Sequence, residues 1–428
     1  MDASGKHSRV DAIGTMACLA IALGLRLAVI AIRPNELTFD RDAYLGIATG
    51  IAEGRGFSSP GSSQATAFRP PLYPMCLGAG LTCFQPSVVV GGINVIAGLL
   101  TVWLTARLGY RLNFGPRRFL AALIVAVDPL LVWYTCQPMT ESLCTFLATF
   151  WLWSMMALPS GNHHESLIKR TLIGISFGFL VLCRPTFWLI TAIDVLAWFT
   201  ALWRNDLEDR PTRFATFLTG SVWTLTGTLC VVAPWLIRNW IVFGVPILTT
   251  THGGYTLLLG NNPVFYQEVV QQQWGNVWQH DSLLNWQTEL ESKIEKDLGP
   301  HASEVQRDRW YSNQARQYIL ATPRLFAAAV VHRFRSLWNI VPQGDLTDHA
   351  GGWAMSAVGW FYSLILTAGL IGIVTVWCSS DRLKWLPLFV LIASVQLAHL
   401  FYWTNTRMRA PLTPAIALFA IVAIPRKL

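Results

Sequence analysis

Two carboxylates in a chain with few charges are the first candidates for chemistry. The stretch FDRDAYLGIATGIAEGRGF, residues 39–57, sets Asp40 and Asp42 two positions apart just after the first long apolar run. Tyr44, Ile47, Ala48 and Ile51 follow at helical spacing, so Asp40 falls near the start of a short helix. A carboxylate there can cap the helix or sit well in its first turn. It can equally take the proton of an attacking hydroxyl, provided that substrate comes within hydrogen-bond reach. In AFRPPLYPMCLGAG, residues 67–80, a double proline holds Arg69 at the point where the chain meets the membrane again. Its guanidinium can snorkel to headgroups or grip a phosphate with its planar fork.

More polar residues gather at the outer ends of predicted helices. QPMTESL supplies Glu141, CRPTFW supplies Arg184, RNWIVFG supplies Arg238 and Asn239, and TNTRMRAPLTP supplies Arg407 and Arg409. Singly, each has a plain structural reading: a helix cap for Glu141, lipid headgroups for the arginines. Their gathering on one side predicts a lipid-phosphate substrate, with Arg41, Arg69, Arg184, Arg238 and Arg407 as phosphate ligands. Tyr44, Tyr73, Glu141 and Asn239 are the further candidates for substrate contact, and Asp40 and Asp42 are the catalytic candidates. No dedicated metal site is predicted, because the carboxylates lack histidine support, and no cofactor is required. A divalent cation is still compatible: Asp40, Asp42 and a substrate phosphate can hold Mg²⁺ or Mn²⁺ loosely.

The elements that must position these residues are membrane helices. Of 428 residues 53% are hydrophobic and 13% charged, against about 25% charged in soluble domains. The net charge of +8 fits cytoplasmic loops and anionic headgroups, which argues against nucleic acid as a partner and for membrane lipid. The eight cysteines show no zinc-like spacing. Spanning helices are expected near residues 12–32, 88–106, 119–134, 140–158, 171–183, 187–203, 214–236, 353–378, 385–403 and 410–424, about ten in all. The run 12–32 is too long for a signal-peptide core and reads as a retained helix. Lys6, Arg9, the Arg107–Arg118 group, Lys169, Arg170, Arg204, Arg210, Arg213, Arg382, Lys384, Arg426 and Lys427 then fall on one side, expected to be cytoplasmic. Two longer segments, 33–87 and 238–352, fall outside, and residues 304–338 read as an amphipathic helix pair interrupted by proline.

These motifs resemble the GT-C glycosyltransferases. The D-x-x-x-Y-x-x-I-A of residues 40–48, the GxGF of 54–57 and the RPPLYP of 69–74 resemble that family's first outer loop. DPLLVWYTCQPMTESL (128–143), APWLIRNWIVFGVPILTTTHGGYTLLLGNNP (233–263) and TRMRAPLTP (406–414) are similar in the same order. The branch it resembles holds protein O-mannosyltransferases, aminoarabinose transferases and RgtA-like enzymes. The resemblance implies a single all-α polytopic membrane domain over residues 1–428, a GT-C-like bundle with amphipathic helices on its outer face. It implies inverting transfer of a hexosyl or pentosyl group from a polyprenyl-phosphate donor to a hydroxyl of a protein, lipid or glycan. It also implies a bacterial inner membrane with the site facing outward. Asp40 matches the family's catalytic carboxylate by its distance from Tyr44, and Arg69 falls where aminoarabinose transferases carry a phosphate-contacting lysine. Many relatives have a second acid directly after the catalytic aspartate. Here Arg41 stands there and Asp42 follows, which leaves the division of labour between Asp40 and Asp42 open. A different class, a transporter or flippase of lipid-linked sugars, would instead place its polar residues near the bilayer midplane, usually in two related halves.

Overall fold

Apolar runs become helices along most of the chain. The computed structural model describes residues 3–157, 163–193, 195–196, 210–278, 280–341 and 352–425. Among these there is no strand, only an isolated antiparallel bridge between Ser58 and Ala65. The helices are α1 (Ala3–Ile32), α2 (Tyr44–Ala52), α3 (Leu72–Leu81), α4 (Pro86–Arg111), α5 (Arg118–Val127), α6 (Pro129–Trp133), α7 (Glu141–Met156) and α8 (His163–Cys183). They continue as α9 (Arg210–Phe243), α10 (Gly253–Leu259), α11 (His280–Leu298), α12 (Glu304–Ala321), α13 (Pro323–Leu337), α14 (Gly352–Trp377), α15 (Leu386–Ala398) and α16 (Thr413–Val422). The predicted amphipathic pair is α12 and α13, split where Thr322 meets Pro323. A capping box between Ser303 and Gln306 starts α12.

The predicted count of about ten spans is not reached among the described residues. Four helices are long and apolar enough to cross a membrane: Asp11–Ile32 within α1, α4, Leu218–Phe243 within α9, and α14. The pair Gly115–Val127 and Pro129–Cys136, bent by 49°, makes a fifth if it is one broken span. The break has a local cause. Pro129 has no N–H to continue α5, and the Asp128 carboxylate caps the new helix through Leu131 N at 2.9 Å. Three further apolar helices, α7, α15 and α16, have 16, 13 and 10 residues, short of the ~20 that a straight span needs. The predicted span 187–203 lies partly outside the described residues, and Arg204, Arg426, Lys427 and residues 342–351 lie wholly outside them.

Packing follows membrane rules. The outward face of α14 exposes Trp353, Trp360, Leu364, Leu370 and Val374, an apolar surface suited to lipid. Between helices, small residues permit close approach, since burial from lipid supplies no hydrophobic drive. A Cβ on Gly174 of α8 would lie 1.9 Å from the Thr224 carbonyl oxygen of α9, and one on Gly227 of α9 would lie 2.1 Å from the Thr171 carbonyl. Gly372 of α14 meets the Phe419 carbonyl of α16 in the same way.

The bundle has two chemically distinct ends, and α7 joins them. It begins at Glu141. About 18 Å further along its axis, the Trp153 carbonyl accepts a hydrogen bond from Arg111 at 2.8 Å. Arg117 on the Ile424 carbonyl at 2.8 Å and an Arg118–Asp11 ion pair lie at that second, basic end. Glu141 and its partners lie at the first.

Gly174→Ala is expected to force α8 and α9 apart at a cost of about 1–3 kcal/mol, read as a lower melting temperature in detergent. Gly24→Ala is its control. An added Cβ there meets nothing within 4 Å, so that variant should melt no lower than wild type.

Candidate active site

The segment between α1 and α2 is turned back on itself before α2. Ala43 takes a left-handed backbone, φ 62°, at a cost of roughly 1–2 kcal/mol for a residue with a Cβ. That turn lets the Asp40 carboxylate reach the start of α2, where it accepts from Leu45 N at 3.0 Å and Gly46 N at 2.6 Å. Asp40 is therefore a helix cap, with one lone pair on each oxygen engaged by backbone. Asp42, two residues on, points elsewhere. Its Oδ1 accepts from Arg69 at 3.3 Å and its Oδ2 from Arg407 at 3.2 Å.

An alternating chain of charges grows from Asp42. Arg407 Nε lies 3.9 Å from Glu141 Oε1, which also accepts from Arg184 at 2.5 Å. Arg184 Nε donates to Thr140 Oγ1 at 3.1 Å. At the other end, Arg69 Nη1 lies 3.1 Å from His252 Nε2. The order is His252, Arg69, Asp42, Arg407, Glu141, Arg184. Five separate parts of the sequence beyond residue 42 meet here, and Glu141, at 1% exposure, is its most buried acid.

The arginines are not saturated by protein. Arg69 Nε and Arg407 Nε are buried without a hydrogen-bond partner, as is Glu141 Oε2. Arg407 Nη1 lies 3.5 Å from the sulfur of Met139, and Arg184 Nη1 lies 3.7 Å from that of Met408. Thioethers are weak acceptors, so these donors keep most of their capacity for a stronger one. Three guanidiniums against two carboxylates leave the chain one positive charge in excess.

The segment after α9 braces the segment before α3. Residues 66–69 and 250–252 run side by side, with Thr251 N on the Ala67 carbonyl at 2.9 Å and the Thr250 hydroxyl on the Phe68 carbonyl. Glu304, in the first turn of α12, accepts from Ala67 N at 3.1 Å, from Thr66 Oγ1 at 3.2 Å and from the Thr251 hydroxyl. Asp308 Oδ1 accepts from Gly254 N at 2.7 Å, where any Cβ would strike the Asp308 carbonyl at 2.1 Å. Arg69 is thus aimed by an acid more than two hundred residues away in sequence.

Not every predicted ligand joins the chain. Arg238 donates to the Thr66 carbonyl at 2.8 Å and to the Phe57 carbonyl at 2.8 Å, and stacks on Trp235. Asn239 accepts from Arg238 and donates to the Ile247 carbonyl. Both brace the loops that carry Arg69. The hydroxyl of Tyr73 faces Asn94 at 3.4 Å, inside the bundle. Tyr44 lies beneath the Arg69 guanidinium, 5.4 Å from ring centre to Cζ. Arg41 is exposed, over the ring of Phe39. Sequence reasoning missed His252, Met139 and Glu304. The signal for His252 was a lone imidazole before two glycines in THGG, after a helix end that supplies no core face for it to fill.

Electrostatics follow the geometry. Burial opposes the charge on Asp42, but the Arg407 and Arg69 guanidiniums outweigh it and hold the carboxyl down at about 2. Burial, then Arg69, push His252 well below the usual imidazole range, so it is neutral at pH 7. Among the described residues no three His, Cys, Asp or Glu side chains converge in a way that could hold a metal ion. Two apolar grooves, about 260 and 440 Å³, lie on the lipid-facing helix pairs α8/α9 and α1/α4, with no residue of the charge chain in their walls.

No protein-family model matches the chain, and no curated protein matches it. Among solved structures it is similar to the oligosaccharyltransferase of Archaeoglobus fulgidus in the apo form, with a TM-score of 0.51 and 14% identity over 96% of this chain. The chain spans about half the length of that protein, 50%. ArnT from Cupriavidus metallidurans in the apo state aligns at a TM-score of 0.36 and 12% identity, over 94% of this chain and 77% of that one, too loosely to support any argument.

A depressed carboxyl pKa adds stability that is present above the unfolded value, near 3.8, and is lost as pH falls towards about 2. For Asp42 the amount is roughly 2 kcal/mol. Asp42→Asn should therefore melt well below wild type at pH 6, and the gap should close as pH is lowered from 4 towards 2. A pH-independent gap would mean that the arginines do not set the charge of Asp42. The helical bundle and the likeness over nearly the whole chain give the same answer: this chain shares the membrane-protein fold of that archaeal oligosaccharyltransferase.

Proposed function

We propose that the protein transfers a sugar from a polyprenyl-phosphate donor to a hydroxyl acceptor. The observation that carries this reading is the set of under-used arginine donors around Asp42. Arg69 Nε and Arg407 Nε have no hydrogen-bond partner, and Arg184 Nη1 has only a thioether. A phosphate oxygen is the acceptor such donors suit best. The single excess positive charge matches a phosphodiester, which carries one negative charge, better than a diphosphate linkage.

In this mechanism the acceptor hydroxyl oxygen attacks C1 of the sugar from the face opposite the phosphate. Its proton passes to Asp40, the C1–O bond to phosphate breaks, and polyprenyl phosphate leaves with the bonding pair. Asp40 is the better base of the two because backbone N–H groups aim it while leaving lone pairs on both oxygens. Asp42 is committed to two guanidiniums and held at about 2, which makes it a poor proton acceptor and a good organiser of Arg69 and Arg407. The arginines stabilise charge on the departing phosphate, often the larger part of catalysis in such sites. The scheme needs no cofactor. A divalent cation, where the reaction uses one, would have Asp40 or Asp42 and the phosphate as ligands.

The positive-inside pattern supports a site facing away from the cytoplasm, and the membrane we propose is a bacterial inner membrane. The acceptor is a hydroxyl of a protein, a lipid or a growing glycan, and the sugar a hexose or pentose.

The test is single-turnover transfer from radiolabelled polyprenyl-phosphate sugars in proteoliposomes. Asp40→Asn should slow transfer by about 10²–10⁴-fold with donor affinity nearly unchanged. Arg407→Ala should instead weaken donor binding. Undiminished transfer by Asp40→Asn would move the base elsewhere. Labelled lipid crossing the bilayer with no sugar transferred would favour a flippase.

A further inference from the structure

Arg69 has two strong partners on its terminal nitrogens, and they differ in kind. One is the Asp42 carboxylate at 3.3 Å, the other the His252 imidazole at 3.1 Å. An arginine N–H can only donate, so His252 Nε2 must be the unprotonated nitrogen and the ring proton must be on Nδ1. The ring is fixed on both sides. Phe68 meets it edge-on at 4.2 Å between centroids, and Tyr255 stacks on it at 5.3 Å. Its backbone is fixed too: His252 N donates to Thr250 Oγ1 at 3.1 Å, and the neighbouring Thr251 hydroxyl is bound by Glu304.

The chemistry of the acceptor matters. A second carboxylate in this position would orient Arg69 equally well and would cancel the charge that an anion must feel. A neutral imidazole orients without cancelling. We propose that His252 is a positioning residue whose neutral Nε2 aims Arg69 at the substrate anion without adding a second negative charge to that of Asp42. This inference rests on the lipid-phosphate reading of the site above.

Glutamine and glutamate are isosteric, which separates charge from shape. His252→Gln places a neutral carbonyl oxygen at about the depth of Nε2, whereas His252→Glu places an anion there. The measurement is the Kd of a short-chain polyprenyl phosphate for the purified full chain in detergent micelles. His252→Gln should bind within about threefold of wild type, and His252→Glu at least about tenfold more weakly. Should His252→Glu fail to fold, His252→Met replaces it. Methionine fills similar space without a strong acceptor, and it too should bind about tenfold more weakly than His252→Gln. Equal affinity of the glutamine variant and its comparator, with wild type binding normally, overturns the role of His252 alone. Wild type that does not bind polyprenyl phosphate overturns the lipid-phosphate reading and this inference together.

Discussion

The site depends on one shared carboxylate. Asp42 bridges Arg69 and Arg407, which reach it from opposite ends of the sequence, at 3.3 and 3.2 Å. With 20% of its side chain exposed, Asp42 is dry enough for the two guanidiniums to outweigh its burial and wet enough to be reached. Removing one partner of a buried ion pair typically costs about 3–5 kcal/mol, mostly by stranding the other. Here the loss of Asp42 would strand two arginines at once. The same bridge brings the segment between α1 and α2 to the last polar turn of the chain, so the geometry of the cluster and the closure of the bundle are one constraint.

That constraint is transmitted through the bundle by polar residues unusual in lipid. Arg409, 2% exposed and two residues from Arg407, donates to the carbonyls of Leu337 and Asn339 and stacks over Tyr362. Tyr362 in turn donates to Asp128, the residue that caps the second half of the broken helix. Arg26, near the C-terminal half of α1, reaches the Ala126 carbonyl from a space that exists only because position 98 is glycine. Charged groups this deep are expensive unless paired or bonded. Each of these has a partner on another helix, so each also fixes one helix against the next.

The helical class of the fold was legible from composition, and so was the face of the bundle on which polar residues would meet. Asp42, Arg69, Glu141, Arg184 and Arg407 each stand at a helix end or next to a proline, where the backbone itself limits their reach. The span count was less legible, because an apolar run reports hydropathy and not continuity. The run at 119–134 reads as one helix until Asp128 and Pro129 break it. Arg238 and Asn239 look like ligands in sequence for the same reason as Arg407. What separates them is the carbonyls of Phe57 and Thr66, which only folding brings within reach.

The contacts of Asp40 and Asp42 were not separable by spacing, since both precede the same helix. The left-handed turn at Ala43 separates them. It swings Asp40 onto the N–H groups of Leu45 and Gly46 and leaves Asp42 facing the arginines. A carboxylate held by neutral amides keeps its remaining lone pairs for a proton. One held between two cations gives up basicity in exchange for holding those cations in place. On the proposed mechanism, these two acids two residues apart would divide one task, with one receiving the proton and the other fixing the charges that stabilise the leaving group.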